Sequence, residues 1–596
     1  MSANTPASVS FRERSVHGAT LGRMVLEATQ RHTGTAARFP RGGEVVEWSY
    51  AEFGRAVRET ATGLIALGLR PGDRLALLAG TRAEWTLVDC AALCAGATLV
   101  PIYQTSSPEE CGFALEHSRA RFLVVEDAEQ LAKIEPLRGS CPALEQLFTI
   151  EPTPQAPSIG SLRRPADDAA LEAIQQDVAG DAVATIVYTS GTTRPPKGCM
   201  LTHDNVLSTM DMYEGRVTAS DPMVMFMFLP LAHALARTAQ MMTLDVGGTL
   251  AFWGGDPARL LEDVREVSPT HLPAVPRLFE KIHTRAVGAV EDAGGAKARL
   301  FGWALEVGAR MRAAERSGGA APVLRAQHFA ADRLVLSKVR ALFGKRLRLA
   351  VTGAAPISRD VLDFFDACGV LLLEGYGMTE DFGYSCASSI ALHAKGYVGS
   401  PLPGVQVRIS DEHEVLIKSP GQLAGYFKQP ELDAESFTED GFFRTGDLGE
   451  LRADGLLKLT GRKKELFKTA KGKYVAPAPI ENTINANAMV DLCMVSGVGQ
   501  QAPYAMVVLA ETLRPQMRDP ATRERVATEM AALLKTVNAD LPDYERVRMI
   551  VIAREPWGIE NGFLTPTLKI KRNRIEAAVA QRVEQWYREP GAVIWE

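Results

Sequence analysis

Short apolar runs alternate with helical stretches through the first 440 residues, and this rhythm restricts the possible architectures more than any other feature of the chain. Arg74-Leu-Ala-Leu-Leu-Ala79, Arg121-Phe-Leu-Val-Val125 and Leu347-Arg-Leu-Ala-Val351 each suit one buried strand and are too short for a core helix. Strands spaced by helices predict a mixed α/β body with largely parallel sheets.

A smaller α/β pattern starts near Gly461-Arg-Lys-Lys464. Beyond it, Met506-Val-Val-Leu-Ala510 and Val547-Arg-Met-Ile-Val-Ile552 read as strands, with a helix from about Arg523 to Asn538 between them. A chain of 596 residues is too long for one ordinary core. The expectation is a large domain over 1–462, with mixed sheets flanked by helices, and a small α/β domain over 463–596. The Pro- and Ser-rich stretch Pro152 to Asp168 reads as a connecting loop, and residues 296–341 as an amphipathic surface helix pair.

Composition narrows the classes of function. With 66 basic and 71 acidic residues the formal charge is −5, and no basic stripe with interleaved aromatics appears, which argues against nucleic acid as a partner. Eight cysteines stand at 90, 94, 111, 141, 199, 368, 386 and 493 with no CxxC and no zinc-like His/Cys spacing. Cys90 and Cys94 read as small core residues on one helix face, and the whole pattern predicts a reduced, cytoplasmic setting. Met1 to Val16 lacks the apolar centre of a signal peptide. The longest apolar run, Ala91 to Tyr103, is too short to span a bilayer and is broken by Gly96 and Pro101. A soluble protein without a transmembrane segment is expected, with peripheral membrane contact left open.

The chemistry centres on Tyr188-Thr-Ser-Gly-Thr-Thr-Arg-Pro-Pro-Lys-Gly198, which follows the apolar, β-branched run Ala182-Val-Ala-Thr-Ile-Val187. A strand feeding a Gly/Ser/Thr loop that closes on a lysine suits phosphate: glycine lets the backbone approach, hydroxyls and amides donate, and the ammonium adds charge. It is not a Walker A loop, because Lys197 precedes Gly198 instead of following a glycine. Taken alone, such a cluster is more often an ordinary surface loop.

Residue by residue, the segment resembles the signature loop of the adenylate-forming enzymes, a superfamily of acyl-CoA synthetases, luciferases and peptide-synthetase adenylation domains. The resemblance implies that Thr189, Ser190, Gly191, Thr192 and Thr193 cradle ATP phosphates, with Lys197 and Thr192 acting in catalysis and Thr192 also at Mg²⁺. Arg194 replaces the family's usual glycine; it either reinforces charge neutralisation or stiffens the loop.

Six further segments follow in the family's order. Leu229-Pro-Leu-Ala-His233 implies that His233 walls the acyl pocket. Val351-Thr-Gly-Ala-Ala-Pro356 implies an adenine-bordering turn at Gly353, Ala354 and Ala355. Glu374-Gly-Tyr-Gly-Met-Thr-Glu380 implies nucleotide contacts from Gly375, Tyr376, Gly377 and Thr379, with Glu380 on Mg²⁺; a flat ring suits a purine and a hard cation suits a carboxylate. In Phe443-Arg-Thr-Gly-Asp447, Asp447 is implied to take the ribose hydroxyls. Gly461-Arg-Lys-Lys-Glu-Leu-Phe-Lys468 adds Arg462 at the ribose, Lys464 as a hinge and Lys468 toward acyl substrate or coenzyme A. In Leu564-Thr-Pro-Thr-Leu-Lys-Ile-Lys-Arg572 the catalytic lysine maps to Lys569, leaving Lys571 and Arg572 as surface charges. Tyr474, in Lys471-Gly-Lys-Tyr-Val-Ala-Pro477, departs from the small polar residue expected there.

The helical stretch at 296–341 and the residues before Lys569 are most similar to long-chain acyl-CoA synthetases. The resemblance therefore implies a luciferase-like fold with a mobile small domain, and ATP, Mg²⁺ and coenzyme A acting on a medium or long fatty acid. Three alternatives stay open: an acyl-AMP ligase serving a carrier-protein phosphopantetheine, a ligase for an aryl or specialised acid, and a silent scaffold that keeps the fold.

Overall fold

The computed structural model describes residues 18–189, 196–213, 222–389, 392–539, 541–565 and 569–596. The chain forms a large N-terminal domain built on two big sheets and an antiparallel one, and a smaller C-terminal α/β domain.

The first big sheet has seven strands, ordered Gly425–Tyr426, Lys197–Thr202, Val183–Thr189, Thr98–Ile102, Arg74–Leu78, Phe122–Val125 and Gln146–Thr149. Its last five strands run parallel, as the alternating pattern predicts, and the strands from Thr98, Arg74 and Phe122 are largely or wholly buried. The second has nine strands, with a parallel centre of Thr249–Phe252, Val224–Met227, His271–Ala274, Leu349–Thr352 and Leu372–Met378. Met225 and Met227 thus lie on a central strand.

Local sequence explains the helices between strands. Ser49 and Ser107 open helices Tyr50–Ala66 and Pro108–Ser118 with reciprocal capping by Glu52 and Glu110. Helix Ala83–Cys94 is buried at every residue, and so is Ala234–Asp245, although the latter carries Arg237, Gln240 and Asp245. The two are tied by Arg237, which donates to both oxygens of Asp89 at 2.6 and 3.0 Å. All eight cysteines are buried and free. Residues 296–341 form helices, as expected, within Gly295–Arg316, Pro322–Ala331 and the turns that follow.

The alternating pattern gives way to antiparallel hairpins at 35–49, 183–202 and 372–387, and most extensively near the end of the large domain. Gln406–Ile409, Glu414–Lys418, Phe443–Leu451 and Leu457–Arg462 form a four-stranded antiparallel sheet in which only the short helix Pro430–Ser436 interrupts the strands. Hairpin pairing needs no crossover helix, so the α/β rhythm stops before residue 440.

In the small domain, Val490–Ser496, Tyr504–Leu509, Ile550–Ile552 and Val593–Trp595 make a sheet covered by helices Pro520–Ala539 and Arg572–Arg588. Its two apolar clusters, around Met530 and around Trp586, draw only on residues beyond 466. Among the described residues no helix is long and apolar enough to cross a membrane.

Candidate active site

Hairpin register places the first pieces of the site. Thr189 and Lys197 are directly opposed where strands Val183–Thr189 and Lys197–Thr202 leave the sheet. Ser190, Gly191, Thr192, Thr193 and Arg194 lie outside the described residues. The Lys197 ammonium sits 4.9 Å from the centroid of the Tyr426 ring, a cation–π distance. Tyr426 donates from its hydroxyl to Glu380 Oε1 at 3.0 Å.

Glu380 occupies the tight turn Thr379–Asp381 between strands Leu372–Met378 and Gly383–Ala387. That turn demands close backbone approach: a Cβ on Gly377 would lie 1.6 Å from the Gly383 carbonyl oxygen. Gly353 and Gly375 have a different reason, since a Cβ on either would press on the Tyr384 ring at 2.6 and 3.0 Å. Ala354 adopts φ +67°, a left-handed conformation uncommon for a residue with a side chain, and Ala355 beside it is exposed.

Asp447 is 4% exposed, and both its oxygens are engaged. Tyr376 donates to Oδ2 at 2.6 Å and Arg462 donates from Nε to Oδ1 at 2.6 Å. Asp447 and Arg462 are register partners on strands Phe443–Leu451 and Leu457–Arg462, so sheet pairing itself brings them together. The Gly446 amide donates to Glu414 Oε1 at 3.0 Å, which pins the turn before the aspartate. Each carboxylate oxygen has a second lone pair, so this aspartate can still accept two hydroxyls from one ligand.

Lys569 comes from the small domain, and its backbone closes on Thr565: its amide donates to Thr565 Oγ1 at 3.0 Å and its carbonyl accepts from the Thr565 amide at 2.8 Å. The residue as a whole is exposed, but its ammonium end is dehydrated and interacts electrostatically with Arg462, Asp447, Glu380 and Glu465. Loss of hydration, then the Arg462 charge, holds its pKa below the usual lysine value, and the three carboxylates oppose that shift. His233 caps helix Ala234–Asp245 by accepting from the Leu235 amide at 3.2 Å. Burial, and secondarily Lys569, push its pKa down to about 4, so it is neutral near pH 7. Tyr426 thus links Lys197 to Glu380, and Lys569 of the small domain lies near enough to Glu380 and Asp447 to feel their charge.

Lys464 and Lys468 stand apart from this group. Lys464 is in an exposed turn after Arg462. Lys468 pairs in register with Tyr474 and holds its ammonium 5.5 Å from that ring. Arg572 is not a surface charge as expected. Its side chain is 16% exposed, pairs with Glu481 and donates to the Val495 carbonyl at 3.1 Å, so it braces the small domain's interior. Tyr426 and Glu414 escaped sequence reasoning because they lie 46 and 32 positions from Glu380 and Gly446, the groups they support.

Beside the site lies a cavity of about 70 Å³, walled mainly by apolar side chains such as Met225, Leu235, Met242, Val351 and Leu373. Tyr384 belongs to both this wall and the glycine turn. Glu374 also lines the cavity, and dehydration raises its pKa to about 8, which leaves it protonated at neutral pH.

A divalent cation fits the donor set. Among the described residues no cluster of three or more His, Cys, Asp or Glu side chains is arranged to cage a metal. Glu380, however, offers an Oε2 that receives no hydrogen bond from any described residue. One carboxylate oxygen completed by substrate phosphates is the usual setting for Mg²⁺.

An anion-compatible lysine, a carboxylate at a hairpin tip, a buried aspartate held by a tyrosine and an arginine, and a lysine supplied from a second domain suit a nucleotide-dependent, adenylating type of site. Sequence comparison agrees: residues 26–427 match the AMP-binding enzyme model and residues 465–590 the AMP-binding enzyme C-terminal domain model. The chain belongs to the AMP-binding enzyme family. It is 34% identical over 554 residues to the long-chain-fatty-acid–CoA ligase FadD15 of Mycobacterium tuberculosis, covering 90% of this chain and 92% of that one. It is 30% identical to the peroxisomal long chain acyl-CoA synthetase 6 of Arabidopsis thaliana, over 94% and 84% of the two chains. Among solved structures, the adenylation domain of a carboxylate reductase from Mycobacterium chelonae matches with a TM-score of 0.77 at 23% identity, over 97% of this chain and 93% of that one. An anthranilate CoA ligase in complex with anthranoyl-AMP matches at 0.70 and 20%, over 96% and 99%. These last two likenesses bear on the fold.

Proposed function

We propose that this chain activates a medium- or long-chain fatty acid with ATP and transfers the acyl group to coenzyme A, releasing pyrophosphate and AMP. The observation that carries the reading is the meeting of Lys569 with Glu380 and Asp447 across the domain boundary, in a family whose similar members include long-chain-fatty-acid–CoA ligases.

In the first half-reaction a carboxylate oxygen of the acid bonds to the α-phosphorus, and the bond to pyrophosphate breaks. Two anions must approach each other, so the site's task is charge neutralisation more than proton transfer. Lys197 and Lys569 supply cations, the hydroxyls and amides of residues 189–193 supply donors, and Glu380 with Thr192 would hold Mg²⁺, which neutralises phosphate charge when bound. Asp447 and Arg462 hold the ribose, Tyr376 presents its ring to the base, and Gly353, Ala354, Ala355, Gly375, Gly377 and Thr379 line the nucleotide's seat. His233, kept neutral, borders the acyl group, and the apolar cavity of about 70 Å³ must widen to take the chain. Losing one electrostatic donor of this kind typically lowers the rate by about a hundredfold or more.

In the second half-reaction the thiol attacks the acyl carbon and AMP leaves. Residues 463–596 turn about Lys464, withdrawing Lys569 and bringing Lys468 toward coenzyme A. Eight free, buried cysteines are consistent with a reduced compartment, and cytoplasmic location is part of this reading.

The decisive experiment is CoA-dependent AMP formation across saturated acids of increasing length, with benzoate as an aromatic control. Turnover should rise into the medium and long acids. Adenylate formation that ignores free CoA would redirect the reading to a carrier-protein acceptor, and absence of ATP–pyrophosphate exchange with every acid would defeat it.

A further inference from the structure

Helix Pro322–Ala331 and the turns that continue it have two apolar faces where a surface element needs only one. The inner face is accounted for: Ala331, Val335, Leu336, Val339 and Phe343 are all buried in a core cluster. The outer face nevertheless exposes Val323 at 70%, Phe329 at 71% and Leu334 at 46%, and Leu342 follows at 38%. These are four of the most exposed large apolar side chains among the described residues, gathered on one element.

Charge on the same element is equally one-sided. From Pro322 to Arg348 there are seven Lys or Arg and a single acid, Asp332, in a chain whose formal charge is −5. Asp332 is already spent on Arg340 at 2.6 Å. The exposed residues from 322 to 338 are Pro, Val, Ala, Phe, Leu, Arg and Lys, with no acid among them. Arg325, Arg333 and Lys338 are exposed, and none forms an ion pair with any described residue.

Between this helix and its neighbours is an open cleft of about 430 Å³ lined by Arg312, Arg325, His328, Phe329 and Arg340, with one acid, the Arg340-paired Asp332, also in its wall. Arg312 is paired with Glu315 at 2.7 Å, yet its Nε is buried without a hydrogen-bond acceptor. A buried donor left unmade is costly, and an anionic oxygen entering the cleft would satisfy it.

We propose that this face docks the enzyme on an anionic phospholipid bilayer, with Val323, Phe329 and Leu334 entering the interface and the Arg312–Arg325–Arg340 cleft seating a lipid phosphate. Apolar and basic side chains together, without acids, suit a surface that is at once greasy and negative. A purely electrostatic partner would give the exposed Phe329 nothing to do, and a purely apolar partner would leave three cations unmatched. The location is apt, because Arg340 also donates to the Cys368 carbonyl at 2.9 Å, at the end of helix Arg359–Cys368, which leads into the strand carrying Tyr376.

The test is co-sedimentation of the full chain with sucrose-loaded vesicles of phosphatidylcholine alone or with about a third phosphatidylglycerol. Binding should require phosphatidylglycerol, weaken with added salt, and fall about fivefold for each of Arg325→Glu and Arg333→Glu. The pair Val323→Ser and Phe329→Ser should lower it further while leaving circular dichroism and turnover of a short, soluble acid intact. Since binding is read without turnover, it is decided separately from the fatty-acid reading. Equal binding to pure phosphatidylcholine, or wild-type binding by these variants, would overturn the proposal. So would competition by inorganic phosphate with no effect of Phe329→Ser, which marks a free-anion site, or a dimer lost on Phe329→Ser, which marks a contact between copies.

Discussion

Lys569 shows how one residue's environment sets both its role and its pH range. It comes from the small domain but is surrounded by Arg462, Asp447 and Glu380 of the large one. Lys569→Ala should lower acyl-adenylate formation about a hundredfold or more, because a cation aimed at developing phosphate charge is lost. Thioester formation from supplied acyl-adenylate should stay near wild type; equal loss in both half-reactions would remove Lys569 from the first. The lowered pKa has a definite sign. The ammonium is needed in its charged form, so adenylation should decline as pH rises through a value below that of an ordinary lysine. Lys569→Arg, which does not titrate there, should move that alkaline limb upward, and a limb that stays in place would belong to another group.

At the level of elements, a buried fork ties helices Ala83–Cys94 and Ala234–Asp245. Arg237 and Asp89 are 2% and 0% exposed, and Gln240 adds a donor to Asp89 Oδ2 at 2.8 Å. Removing one member of a buried pair leaves the other dehydrated and unmatched. Asp89→Ala should therefore destabilise the large domain by about 3–5 kcal/mol in denaturant unfolding. The double change Asp89→Leu with Arg237→Met should recover most of that loss, because no buried charge remains. If the double variant is no better than the single one, the fork acts by something other than charge compensation. The helix that opens at His233 is one of this pair, so its stability also fixes one wall of the cavity.

At the scale of the whole molecule, Arg277 on helix Pro276–Ala293 reaches across to Asp491 of the small domain at 2.7 Å, and Arg514 holds the same carboxylate at 2.9 Å. This bridge favours the arrangement that keeps Lys569 at the cleft, and rotation of the small domain would break it. Its members are 43% and 21% exposed, so it is worth no more than about 1 kcal/mol, or roughly fivefold in a conformational equilibrium. Arg277→Ala should slow adenylation by up to that factor and leave the thioester step equal or faster in single-turnover measurements. Parallel slowing of both steps would deny the bridge any part in domain placement.

Repeating local patterns were enough to announce the parallel α/β sheets and a smaller α/β domain after the large one, because strand length and spacing are short-range properties. They misread the antiparallel sheet at 406–462, where hairpins take over from crossover helices, and they left Arg572 on the surface although Glu481 holds it inside. Only the folded chain placed Tyr426 between Lys197 and Glu380, set Asp447 beside Tyr376 and Arg462, and brought Lys569 of the small domain within electrostatic reach of Glu380 and Asp447. Those meetings join residues separated by tens to hundreds of positions, and contacts at that range are decided by sheet register and domain packing, which no local run of sequence encodes.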